Sequence, residues 1–244
     1  MLTMLIIFFS NLIVGGLIGL TGIAGFLLPM LYVFLGYRVQ EALSLSFVAF
    51  LISGILGSIT YYKNDQLNLS VGNRLGFFSL IGATIGVYLN SYLSDDLIKI
   101  LLYLVVLLSG VSILFRKDHE SENTSYPDWK TCFWLGIVTA AICALSGAGG
   151  PILVMPLLVL MHVSIRESIA LALYDSIFIA IPSIVGYFLQ CDIFSLAGVL
   201  FVSAIAHGIG VLFGSVNAQK VDSKIIKKIV AVGSIFIALY KLFL

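Results

Sequence analysis

Apolar stretches of roughly 20 residues recur along the chain, the length that crosses about 30 Å of hydrocarbon. They fall at about 2–20, 41–62, 70–92, 96–115, 131–146, 166–189, 194–217 and 224–243, with shorter ones at 23–35 and 150–161. A backbone in lipid must satisfy its own polar groups, so these segments are expected to be helices. Of 244 residues, 60% are hydrophobic and 10% charged, against about 25% charged in soluble domains. The chain reads as an all-α polytopic membrane protein.

A net charge of +1 gives no reason to expect nucleic acid as a partner, and leaves membrane lipid as the surroundings. Cys132, Cys143 and Cys191 are odd in number and scattered, so they suit neither a disulfide framework nor a metal motif. No HExxH, CxxC or phosphate-binding loop is present, so no metal or cofactor is expected. The first charged side chain is Arg38, and no small-residue cleavage pattern follows the opening apolar run. That segment is therefore expected to stay as a membrane helix.

The stretch "RKDHESENTSYPDWK", residues 116–130, is the one long polar run. It divides the chain into a first transmembrane repeat, 1–115, a loop, and a second repeat, 131–244. An offset of 128 residues lays Arg38 on Arg166, Gly82 on Gly210 and Gly86 on Gly214. Each half then holds about four long helices plus one short one, broken or re-entrant, and repeats of this kind underlie many transporter folds. If each short segment crosses, or turns back beside its predecessor, Lys63, Arg74, Arg116, Lys117, Lys130, Arg166, Lys220, Lys224, Lys227 and Lys228 collect on one side. Arg38, Lys99 and Lys241 remain on the other. Positive residues gather in the cytoplasm, so the repeats are expected to be inverted. Both termini then lie outside and the 116–130 loop is cytoplasmic.

Within this apolar chain, "SGAGGPILVMPLL", Ser146–Leu158, packs three glycines and two prolines into thirteen positions. Both residue types break helices. "TGIAGFLLP", Thr21–Pro29, repeats the break in the first half. A break survives in hydrocarbon only inside protein or beside a wet cavity. A helix restarting there aims its free N–H groups and positive dipole end at the cavity. Two such breaks converging near the midplane would make an anion site. Close helix packing is the alternative reading of these glycines, and it is the reading for the GxxxG pairs Gly15/Gly19, Gly82/Gly86 and Gly210/Gly214.

"GAGGPILVMP", Gly147–Pro156, resembles the glycine-rich motif of the sulfite exporter TauE/SafE family of bacterial membrane permeases. "GIAGFLLP", Gly22–Pro29, resembles its first-half copy with two residues missing. After each motif the family shows an alanine and then a Thr-Ser pair, matched here by Ala42 and Ser46 and by Ala172 and Ser176. Leu45 and Asp175 stand at the threonine positions. The resemblance covers nearly the whole chain. It implies transport of small anions, with sulfite and organosulfonates as the known cargo, at the inner membrane, and it adds Ser46 and Ser176 to the substrate site.

Two residues that can carry charge lie deep in apolar segments. Asp175 shares or adjoins a face with Ser168, Ala172, Ser176 and Ser183. A carboxylate at the bilayer centre costs about 2.5–3.5 kcal/mol on insertion scales, so Asp175 reads as a proton-coupling residue or as an acid held by backbone freed at Pro182. His207 lies on a face with Ser203, Gly210 and Gly214, and its ordinary pKa of about 6.5 suits proton exchange. A neutral structural histidine fits as well. The expectation is a secondary transporter, not an enzyme, exporting a small anion such as sulfite, an organosulfonate or a small carboxylate, with proton linkage. Its cavity would be lined by Thr21, Gly22, Gly25, Ser146, Gly147, Gly149 and Gly150. An anion channel built on the same breaks is the nearer rival. An intramembrane serine hydrolase using "ALSG", Ala144–Gly147, with His207 is the other.

Overall fold

A computed structural model describes residues 2–22, 24–115 and 126–218, with positions 232, 235, 236 and 239 beyond them. Every regular element among the described residues is helical. They are α1 (Leu2–Thr21), a 3-10 turn (Ala24–Phe26), α2 (Leu27–Phe34), α3 (Val39–Lys63), α4 (Leu69–Asn90), α5 (Asp95–Phe115), α6 (Trp129–Ser146), α7 (Gly150–Leu160), α8 (Ile165–Phe188) and α9 (Ile193–Asn217). Apart from α2, which begins four residues into the 23–35 segment after the 3-10 turn, each begins and ends within a residue or two of the apolar segment that encodes it. Apart from positions 232, 235, 236 and 239, the segment 224–243 lies outside the described residues, as do loop residues 116–125. Among the described residues, five helices, α1, α3, α6, α8 and α9, are long and apolar enough to cross a membrane.

Polar residues between the segments start the helices by accepting otherwise unpaired N–H groups. Asn68 Oδ1 accepts from Ser70 N and Val71 N, Asp128 Oδ1 from Thr131 N, and Asp192 Oδ1 from Phe194 N. Glu41 serves α3 differently: its carboxylate accepts from the Arg38 amide and pairs with the Arg38 guanidinium at 2.9 Å. Glu167, behind Ser164, closes the start of α8 in a related way.

Glycine sets the close approaches. A Cβ at Gly15, Gly19, Gly82, Gly86, Gly210 or Gly214 would fall within 2.5 Å of a backbone carbonyl oxygen on the partner helix. Gly82 and Gly86 face Ile137 and Ala141, which packs α4 on α6; Gly210 and Gly214 face Leu12 and Gly16, which packs α9 on α1. The three GxxxG pairs are thus packing glycines.

Contact registers fix the helix directions. Along α3 and α8, Phe47 stacks on Tyr187, Gly54 meets Ile177, and Gly57 meets Leu173. Those two helices therefore run antiparallel. Gly72 against Tyr174, Gly76 against Phe178 and Gly186 against Val87 make α4 parallel to α8. Ser53 beside His207 and Thr60 beside Ser215 make α3 parallel to α9. Exchanging α1 with α6, α3 with α8 and α4 with α9 maps these pairings onto one another. Lys63, Arg74, Lys130 and Arg166 gather at the end where α4, α6 and α8 begin, and Arg38 and Lys99 lie at the opposite end. Arg116, Lys117, Lys220, Lys224, Lys227, Lys228 and Lys241 lie outside the described residues.

Candidate functional site

The two long helices that open the halves stop in the same way. Gly22, with φ of 71°, donates to Ile18 O at 2.8 Å; Gly147, with φ of 74°, donates to Cys143 O at 2.8 Å. Both sit in the left-handed region that glycine enters without a Cβ penalty. Gly22 rests on Ile169 near the start of α8, and Gly147 on Leu43 near the start of α3. Each break therefore touches the long helix of the other half.

The chain then turns back. Gly149, at φ 81° and ψ 146°, occupies a region open almost to glycine alone. It ends the linker and starts α7 with no side-chain cap, while Pro151, lacking an N–H, fills the first turn. Gly150 packs on Ser176 and Ile179, about halfway along α8, and α7 ends four residues before α8 begins. At 11 residues, α7 is about 16 Å long. It runs from the middle of α8 back toward the end where α6 and α8 begin. Gly25 in the first half reaches Phe50, midway along α3.

A cavity forms where the two breaks meet, lined by Ile18, Gly22, Gly25, Phe50, Ser53, Ala148, Gly149, Pro151, Ile152 and Ser176. About 10 Å³ of it is open to the centre of a water molecule, room for roughly one water. Its wall includes the uncapped start of α7, whose N–H groups and dipole favour negative charge.

Gly22, Gly25, Gly149 and Ser176 line this cavity. The other expected site residues stand behind its wall. Thr21 Oγ1 donates to Leu17 O, Ser46 Oγ to Ala42 O and Ser146 Oγ to Ile142 O, each at 2.7 Å along its own helix. Gly147 and Gly150 spend their missing side chains on packing, against Leu43 and against Ser176 with Ile179. Phe50 and Ser53 are the site residues that motif matching passed over. Ser46, Phe50 and Ser53 lie on one face of α3 by helical spacing, and that periodicity is the signal that marks them.

His207 and Asp175 occupy different junctions. His207 is fully buried, with Nε2 2.6 Å from the Ser53 hydroxyl. It therefore touches the cavity through one side chain. The Asn11 backbone carbonyl lies near the ring, and Nδ1 makes no hydrogen bond of good geometry among the described residues. Asp175 faces away from the cavity that its neighbour Ser176 lines. The Ser79 hydroxyl of α4 lies beside the carboxyl without hydrogen-bond geometry. Both carboxyl oxygens are buried without a partner among the described residues. Ser79 is the residue that the 128-residue offset pairs with His207. No Ser146–His207 pair forms: the Ser146 hydroxyl is turned to its own helix and His207 to Ser53.

Comparisons with known proteins place the sequence among membrane transporters. The family model for "Sulfite exporter TauE/SafE" matches residues 3–241. A probable membrane transporter protein of Bacillus subtilis is 26% identical over 193 residues, spanning 77% of this chain and 78% of its own. A probable membrane transporter protein of Methanocaldococcus jannaschii is 23% identical over 226 residues, spanning 88% of this chain and 84% of its own. No solved structure matches.

Proposed function

Because this chain belongs to the sulfite exporter TauE/SafE family and is a multi-pass membrane transporter, not an enzyme, we propose that it carries a small anion through the cavity between its helix breaks. The observation behind this reading is the convergence of both breaks on one cavity whose wall includes the uncapped start of α7. Glycine leaves the backbone N–H groups approachable there, and the helix dipole favours an anion. Sulfite, an organosulfonate or a small carboxylate is the cargo class. Transport is secondary and outward across the inner membrane, with termini outside and residues 116–130 in the cytoplasm.

The halves are inverted repeats that rock about the cavity to expose it alternately. The antiparallel course of equivalent helices α3 and α8 supports this, as do pairings that survive exchange of the halves. A cavity this small suits alternating access better than an open pore. Protons are coupled at His207 and Asp175. Of the two, His207 has the shorter route to the anion, through Ser53. A protonated neighbour tolerates the anion best, so each ligand tightens the binding of the other.

A thermal-shift screen of the purified protein against sodium salts of sulfite, organosulfonates, sulfate and small carboxylates tests the reading. An anion held at 100 times its Kd stabilises the folded state by about 2.7 kcal/mol. A rise in melting temperature with at least one of these anions, and none with sodium chloride at matched ionic strength, is expected. No response to any member of the panel would remove the proposal.

A further inference from the structure

Among the cavity-lining residues, Phe50 is the one aromatic side chain. It is 3% exposed, and its ring lies in the gap between the two breaks. A Cβ at Gly25 would stand 2.9 Å from Phe50 Cε1, and a Cβ at Gly149 would stand 3.2 Å from its Cε2 and Cζ. One glycine from each half has thus given up a side chain where the ring sits. Away from the cavity, Phe50 meets Phe47 edge to face at 5.5 Å. Phe47 stacks on Tyr187 at 5.7 Å, and the Tyr187 hydroxyl donates to Ala144 O at 2.7 Å. A continuous aromatic series therefore leads from the cavity to the last turn of α6.

We infer that Phe50 sets the size of the anion that reaches the start of α7. The ring leaves the gap between Gly25 and Gly149 as the anion enters. This rests on the small-anion reading above and deepens it. Room for about one water does not hold a sulfur bearing three oxygens, so part of the wall must move. Gly22, Gly25, Ala148, Gly149 and Pro151 carry little or no movable side chain. Ser53 and Ser176 are small and hydrogen-bonded to their own helices. Phe50 is bulkier than Ile18 or Ile152, and one staggered χ1 step displaces its whole ring. The ring adjoins a glycine from each half and the Phe47 ring, and a phenyl side chain has no hydrogen bond to lose when it swings.

The test titrates detergent-solubilised protein calorimetrically with sulfite, methanesulfonate, ethanesulfonate and propanesulfonate, which share an oxyanion head and lengthen by one carbon at a time. Wild type should lose about tenfold or more in affinity at the step where the tail meets the ring. Phe50→Ala should move that step at least one carbon further along the series, read as the affinity of each sulfonate relative to that of sulfite in the same protein. Phe50→Leu should fall between, and covers the case in which the alanine variant folds poorly. Gly25→Ala, which presses on the ring, should weaken every member of the series, sulfite included. An unchanged size cut-off in folded Phe50→Ala or Phe50→Leu would overturn the role of Phe50 while leaving the anion site intact. A folded wild type that binds no member of the series would instead remove the anion reading, and this inference with it.

Discussion

The Ser53 hydroxyl lies 2.6 Å from Nε2 of His207, joining the cavity wall on α3 to the core of α9. Ser53 also lies 3.0 Å from Ala49 O, and a hydroxyl has one proton to give. When Ser53 donates to Ala49 O, its lone pairs face a protonated Nε2. When it donates to the imidazole, Nε2 is the bare nitrogen. The pair therefore ties the protonation of His207 to the polarity of a residue that lines the cavity.

Ser53→Ala should separate the two. It leaves the buried Nε2 unpaired, a loss of about 1–3 kcal/mol, visible as a lower melting temperature. Anion exchange in proteoliposomes should persist with weakened binding, and its response to an imposed pH gradient should fall. Unchanged pH-driven flux in a folded Ser53→Ala protein would break the proposed route from His207.

Asp175→Asn mimics the protonated acid and sits off the cavity, between α8 and Ser79 of α4. Anion exchange should survive this change while the pH-gradient response is lost. If the response is untouched, Asp175 is not a coupling residue and His207 carries that role alone.

Gly82→Val and Gly210→Val should reduce folded yield, because Ile137 and Leu12 present backbone, not flexible side chain, at those glycines. Overpacking typically costs about 1–3 kcal/mol. Gly36 is exposed and has nothing within 4 Å of an added Cβ. Its φ of 91° adds some strain, so Gly36→Ala should cost less than either valine. Chromatographic recovery of monodisperse protein measures all three. Equal recoveries would contradict the packing role of the glycine pairs.

For topology, Asn64→Cys and Ser91→Cys place single thiols at exposed turns on opposite ends of α4. With the native cysteines replaced, an impermeant maleimide on intact cells should label Ser91→Cys and spare Asn64→Cys. The reverse pattern would invert the orientation drawn from the positive charges.

Much of the fold was legible because hydrocarbon imposes one rule: a long apolar run must be helical. The breaks were equally plain, since Gly149 needs a backbone region that only glycine enters. What the sequence concealed is which way side chains point once helices pack. Asp175 and Ser176 are neighbours in the chain, yet one faces Ser79 and the other the cavity. Gly150 reads like Gly149 in the motif but touches Ile179 and Ser176. Phe50 looked like one more apolar residue until its ring was found between glycines from both halves. Such facts depend on helix rotation and on register across the two halves, and neither is a local property of the chain.

The central claim, that an anion sits where the breaks converge, is met most directly by anomalous diffraction from crystals soaked in selenite. Selenite has the shape and charge of sulfite and carries its own scattering signal. Soaks are made at a concentration that saturates selenite binding in solution. The account expects one selenium peak per chain, enclosed by Gly25, Ser53, Gly149 and Ser176, with Phe50 displaced from the gap. A selenium peak elsewhere, such as beside Asp175 and Ser79, or none at all under those conditions, would contradict it.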